Sequence, residues 1–275
     1  MKKVLAIALL CAVSSFATWD KFPVLGAGKG EAKAGVGYLI NAGGEEKLSI
    51  IGAEVGARYS IIEGLEASLY VPFSLSMSYD GESCEADGDN LKCPPSYGQP
   101  SIGIRYWLPF GLGIALDVDL PLQGDAFPAG GPKDASKGTP LNFYPTIQYS
   151  TNLTSELSVG AEVGVALYGE NSESKFKSGM DLGLGVEFDY AIGDITPYVG
   201  VDVGLGLGNA KFDGTELDDT KSKTTIDLGL GAIYKINDSM GADIGVTYGI
   251  GEGYKDYDDK TISPITILAH FSYYF

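Results

Sequence analysis

Histidine, tryptophan and cysteine are almost missing from this chain, with one His, two Trp and three Cys in 275 residues. Any acid–base chemistry on an imidazole therefore has to run through His270 alone. Basic residues are scarce as well, 19 Lys and Arg against 36 Asp and Glu, for a net charge of −17. Binding to nucleic acid depends on basic groups that neutralise phosphates, so this balance excludes that class of partner. No complete G-x-G-x-x-G or G-x-x-x-x-G-K-[ST] phosphate loop occurs, "GAGKGEAKAG" at 26–35 included. Beyond the N-terminus no run approaches 18 consecutive apolar residues, which leaves no candidate membrane helix there. No cofactor is implied.

The N-terminus itself reads "MKKVLAIALLCAVSSFATWD". Lys2 and Lys3, the apolar run from Val4 and the small-x-small Ser15-Phe16-Ala17 form a secretory signal, with cleavage expected after Ala17. The run is shorter than the ~20 residues of a spanning helix. Cys11 follows Leu10 rather than the small residue of a lipoprotein site. Losing residues 1–17 removes two lysines and no acid, which takes the net charge to −19. Cys84 and Cys93, in "CEADGDNLKC", are expected to close a loop disulfide in an exported protein. The expected organisation is a signal peptide at 1–17, a periplasmic or lumenal segment at 18–30 and one domain at 31–275.

What the rest does contain is alternation. In "DLGLGVEFDY" (181–190), Leu182, Leu184, Val186, Phe188 and Tyr190 share one face; Asp181, Gly183, Gly185, Glu187 and Asp189 share the other. Period two recurs in twelve runs, at about 31–41, 47–61, 65–79, 99–108, 111–121, 141–150, 156–168, 178–190, 195–208, 223–236, 239–251 and 262–275. Each is near or above the ~9–11 residues of a tilted strand crossing a bilayer. Short links alternate with long polar ones, and twelve is even. The expected fold class is therefore all-β: a transmembrane, up-and-down antiparallel barrel with short periplasmic turns and long extracellular loops. A soluble β-sandwich alternates too, with its apolar face inside.

The aromatics separate these two readings. Tyr59, Tyr106, Tyr149, Tyr190, Tyr234, Tyr273 and Phe275 all stand at the end of an even-numbered run, on its apolar parity. That is an interfacial aromatic girdle, for which a sandwich has no use. The final "ILAHFSYYF" resembles the C-terminal signature read by the barrel-assembly machinery. The expected location is the outer membrane, with outer-membrane lipid, that machinery and small solutes as partners.

Inward parity then holds Glu54, Glu66, Asp117, Asp119, Glu162, Asp181, Glu187, Asp189, Asp202, Asp227 and Asp243, against Lys33, Arg58, Arg105 and Lys235. Eleven acids cannot all pair with four bases, and unpaired ions do not stay in a dry core. About a dozen inward glycines, Gly160, Gly183, Gly185, Gly229 and Gly245 among them, add to the expectation of a wet, acidic lumen that passes small solutes. Arg58 and Arg105 read either as a constriction or as a buried ladder with Glu54, Glu66 or Asp117. The alternative function is a structural or surface-interaction barrel with a closed lumen. The acidic loops "DGESCEADGDN", "DGTELDD" and "YKDYDD" match no complete calcium loop, and no metal site is assigned.

A hydrolase is the third reading. His270 and Ser272 share a face with the His-x-Ser spacing of outer-membrane phospholipases, without the polar motif around it; no catalytic residue is assigned. Finally, "GLEASLYVPFSLSMSY", "YGQPSIGIRYWLP" and "GLGIALDVDLPLQGDAF" span residues 64–126. They carry Val71-Pro72-Phe73, Arg105-Tyr106 and Leu120-Pro121-Leu122-Gln123-Gly124-Asp125. This segment resembles the outer-membrane barrels associated with the meta-cleavage pathway of phenol degradation. It departs from them at Gln99-Pro100, where Gly-Asp is usual, and by one extra residue before Gly124. The resemblance implies a transporter for small, including aromatic, solutes.

Overall fold

The computed structural model describes residues 21–41, 48–79, 82–83, 96–122, 138–254 and 263–275. The signal segment, Cys84, Cys93 and most of the two acidic loops at 80–90 and 254–259 lie outside them. Twelve long strands form the wall: β1 (Gly30–Asn41), β2 (Leu48–Ile62), β3 (Leu65–Tyr79), β4 (Ser101–Trp107), β5 (Leu112–Asp119) and β6 (Asn142–Asn152). They continue as β7 (Leu157–Tyr168), β8 (Asp181–Tyr190), β9 (Ile195–Gly206), β10 (Thr225–Asn237), β11 (Met240–Ile250) and β12 (Pro264–Tyr274). Each pairs antiparallel with its neighbours in sequence, and β1 pairs with β12, from Glu31↔Tyr274 to Asn41↔Pro264. The sheet is closed, which leaves no long edge unpaired.

Local chemistry sets the strand limits. β4 begins at Ser101 because Pro100 has no N–H to donate. The turns at 63–64 and 108–111 need a left-handed residue, supplied by Gly64 (φ 80°) and Gly111 (φ 85°). β3 carries a bulge at Leu75, where Ile51↔Ser76 is followed by Gly52↔Ser74. Short ladders extend the wall on the long-loop side: 82–83 and 96–97 on β3, and a separate sheet of 176–177, 211–212 and 215–216. In that sheet Phe176 stands opposite Phe212, and Lys177 opposite Lys211.

The packing is inside out relative to a soluble domain. Val36, Ile51, Leu69, Ile104, Ile147, Leu184, Val199, Leu230 and Ile267 are exposed on the outer face. The largest fully buried side chains are Gln148, Glu31, Glu66 and Ser60, all polar. A sandwich would bury the first set in its core. Only a lipid-facing cylinder stabilises hydrophobes on its outside, because hydrocarbon offers polar groups no hydrogen bonds.

Candidate functional site

The short-turn end of the lumen is floored by an ion-pair ladder. Inward parity on β1, β2, β3 and β4 aligns Glu31, Arg58, Glu66 and Arg105, since Glu31↔Arg58 and Glu66↔Arg105 are register partners. Arg58 Nε donates to Glu31 Oε2 at 2.6 Å, and Arg105 Nη2 to Glu66 Oε1 at 2.9 Å. Arg58 Nη1 lies 3.8 Å from Glu66 Oε1. Ser272 Oγ donates to Glu31 Oε1 at 2.6 Å, so β12 joins the same network. All four charged side chains are buried. Of the two readings of the arginines, the ladder describes these contacts, with Glu66 in it and Glu31 added to the expected acids.

Above the floor a hydrogen-bonded chain runs around the inner wall. Tyr70 Oη donates to Glu54 Oε2 (2.7 Å), and His270 Nε2 lies 2.7 Å from Glu54 Oε1. His270 Nδ1 lies 3.0 Å from Asp243 Oδ2, and Tyr198 Oη donates to Asp243 Oδ1 at 3.1 Å. A ring with a carboxylate at each nitrogen can donate to both only as the imidazolium. The chain links β3, β2, β12, β11 and β9 by passing over β1 and β10. It passes there because those strands carry glycine: a Cβ on Gly35 would strike the His270 ring, and one on Gly231 the Tyr198 phenol. His270 and Ser272 are thus each engaged by carboxylates from other strands, not joined as a nucleophile and its base.

The third element comes from before β1. Gly28 N donates to Ser60 O (2.8 Å) and Ser60 N to Lys29 O (2.9 Å), which ties the segment to β2. Leu25 N donates to Glu66 Oε2 at 3.3 Å, beside the ladder. Lys21 then reaches the far wall: its Nζ lies 3.0 Å from Asp202 Oδ1 on β9 and 3.7 Å from Glu162 Oε1 on β7. Its side chain is 12 % exposed. The room is made by glycine: a Cβ on Gly160 would stand 2.8 Å from the Lys21 carbonyl, and one on Gly185 would stand 2.5 Å from Lys21 Cε. Gln148 Nε2 donates to Glu162 Oε2 at 3.0 Å and fixes that carboxylate.

The remaining inward acids are dispersed. Asp119 accepts from Tyr144 Oη (2.6 Å) and from Ser101 Oγ, and Asp181 from Tyr168 Oη at 3.1 Å. Asp117 covers Gly103, Glu187 lies over Gly200, Asp227 stands opposite Asp202, and Asp189 opposite Tyr198. Lys33 faces Gly56 and Ser272 in register. Lys235 corrects the expectation: its ammonium pairs with Asp238 of the adjacent turn at 2.7 Å and is 57 % exposed, so it belongs to the rim. A second correction concerns empty space, since Lys21 lies on Gly160 and Gly185, and Tyr198 covers Gly231 and Gly245. The seven girdle aromatics lie at one end of the barrel, 43–55 % exposed, with the Tyr273 and Phe275 rings stacked 6.3 Å apart.

Sequence reasoning missed the roles of Glu31, Lys21, Tyr70, Tyr144, Tyr168 and Tyr198. The tyrosines were legible by parity, but a count of bases against acids omits hydroxyl donors. Glu31 was legible in the same way, as the residue a short hairpin places opposite Arg58.

The family model of the outer membrane protein beta-barrel domain matches residues 146–275. A search of curated proteins finds no match. Among solved structures, an outer membrane channel from Pseudomonas putida F1 superposes with a TM-score of 0.71 at 14 % identity, over 92 % of this chain and 98 % of that one. The NanC porin gives 0.51 at 10 % identity, over 88 % and 98 %. The translocator domain of the autotransporter NalP from Neisseria meningitidis gives 0.53 at 12 % identity, over 98 % and 97 %. These likenesses carry the fold. With the exposed apolar band and the family match, they make the chain an outer-membrane β-barrel.

Proposed function

We propose that this barrel passes small solutes passively through an acidic lumen, with residues 21–29 as its internal plug. The observation that carries the reading is Lys21, whose ammonium is held 3.0 Å from Asp202 on the wall opposite β1 and β2. Twelve strands ~4.8 Å apart, tilted by ~40°, enclose a backbone radius of about 12 Å. Inward side chains on both sides reduce the free width to about that of a single packed peptide, so one segment suffices to block it. The segment is held by ion pairs and a few hydrogen bonds, which open far more readily than a folded domain.

The carboxylates of the wall favour cations over anions. The channel and porin relatives contribute the class of function, a barrel that solutes cross. The lipid-facing roles of the tyrosines and the disulfide between Cys84 and Cys93 belong to the same reading.

The experiment is single-channel conductance in planar bilayers under a salt gradient, comparing the parent protein with Lys21→Met. Larger, cation-preferring steps in the variant support the reading. Silence from both correctly folded proteins overturns it in favour of a closed barrel whose loops do the work.

A further inference from the structure

The place where Lys21 sits has the form of a recognition site. Gly160 and Gly185 stand diagonally across the β7–β8 ladder, opposite Glu187 and Glu162, and leave a slot in which the Lys21 arm runs from Cβ at the first to Cε at the second. The slot ends at two carboxylates, Asp202 Oδ1 at 3.0 Å and Glu162 Oε1 at 3.7 Å, with Glu187 adding to the same negative field. Asp202 stands directly opposite Asp227 across the β9–β10 ladder. Like charges at that spacing repel, so this part of the wall is stabilised by a cation between its acids. Acids alone would not define a site; here the cluster already holds an ammonium in a slot shaped to its alkyl arm.

We propose that this slot is a recognition site for primary-ammonium solutes, and that Lys21 occupies it as the chain's own competitor. The proposal rests on the transport reading above and adds to it the class of solute. A primary ammonium offers three N–H donors to two carboxylates, whereas a quaternary ammonium offers none. An alkyl arm fits over Gly160 and Gly185, whereas a branched or ring-bearing amine meets the wall. Withdrawal of residues 21–29 exposes the slot to solutes, and an amine that takes it holds the plug away.

The test is titration calorimetry with full-length Lys21→Ala in detergent, after heat-modifiable gel migration has shown that it is folded. The probe is 1,5-diaminopentane, with tetramethylammonium, pentane-1,5-diol and Ca²⁺ as controls. The diamine should bind the variant about tenfold tighter than the parent, in which Lys21 competes, and adding Glu162→Gln and Asp202→Asn should weaken it by about tenfold or more. Equal binding of the diol, preference for Ca²⁺ or tetramethylammonium, or indifference to the two amide substitutions overturns the assignment. If Lys21→Ala does not fold, Lys21→Gln, which keeps the arm's length, takes its place; if that too fails, displacement of Lys21 in the parent by the diamine, followed by NMR of a labelled lysine, decides. Conductance of the same variants is recorded separately. A barrel that binds the diamine without carrying current fails the transport reading alone, and one that conducts but does not bind fails this proposal alone.

Discussion

Glu66→Ala tests whether the floor of the barrel is dry. Glu66 is buried between two guanidiniums, 2.9 Å from Arg105 Nη2 and 3.8 Å from Arg58 Nη1. Without it, Arg58 keeps Glu31, and Arg105 loses its 2.9 Å partner, with Asp117 on β5 a further acid acting on it. Removing one partner of a buried pair costs about 3–5 kcal/mol, because the charge left behind stays out of water. The Leu25 N–H bond to Glu66 is lost too, adding roughly 0.5–1.5 kcal/mol. Removing Arg105 as well restores balance, since Arg58 keeps Glu31 at 2.6 Å. The double variant should therefore cost less than the two single costs combined, with a coupling of about 2 kcal/mol.

Urea unfolding of barrels refolded into lipid vesicles measures these costs, and Trp107 is the reporter. Its indole is buried against Gly113, two residues along β4 from Arg105. A Trp19→Phe background leaves it as the only tryptophan. A cost for Glu66→Ala below about 1 kcal/mol, the value of an exposed pair, would refute the reasoning. Strict additivity in the double variant would do the same. Either result would mean that water reaches the floor and screens it.

Other perturbations probe other parts. Gly35→Val places its methyls against the His270 ring, held on both sides by carboxylates; it should cost about 1–3 kcal/mol, and an unchanged urea midpoint would count against the chain around the wall. Leu184→Arg, on the outer face of β8, should cost about 2–4 kcal/mol in vesicles, whereas Asp202→Asn on the inner face should not; equal costs would reverse the assignment of the two faces. The Glu156 carboxyl, in the turn before β7, is held below its ordinary value by hydrogen bonds first from Ser155 and then from Thr154. Its contribution is present at neutral pH and lost as pH falls through the folded-state value. Ser155→Ala should move its NMR titration to higher pH, and an unmoved curve refutes the assignment.

The wall was legible because lipid on one side and a polar lumen on the other impose period two, broken only locally as at the Leu75 bulge. β8, where Leu182 to Tyr190 face out, follows it along its whole length. Its start is Asp181 rather than 178 because Gly179 packs against the Gly208 carbonyl, leaving the strand ladder there. The lumen was less legible. Parity says that Glu54 and His270 face inward but carries no information on whether they meet, and they are 216 positions apart with β1 between them. Their contact exists because Gly35 has no side chain, a condition on a third residue. Lys21 obeys no period at all, since its segment is placed by two glycines and two acids on strands far along the chain.

Gly30 and Phe275 exchange two backbone hydrogen bonds, Gly30 N to Phe275 O at 2.8 Å and Phe275 N to Gly30 O at 3.0 Å. The first residue of β1 is thus fastened to Phe275, the residue after β12, and Gly28, which turns the inner segment with φ 75°, is two positions away. The seam between β12 and β1 and the start of the segment inside the barrel therefore meet at one pair of bonds, so a substitution that loosens the Gly30–Phe275 pairing loosens both.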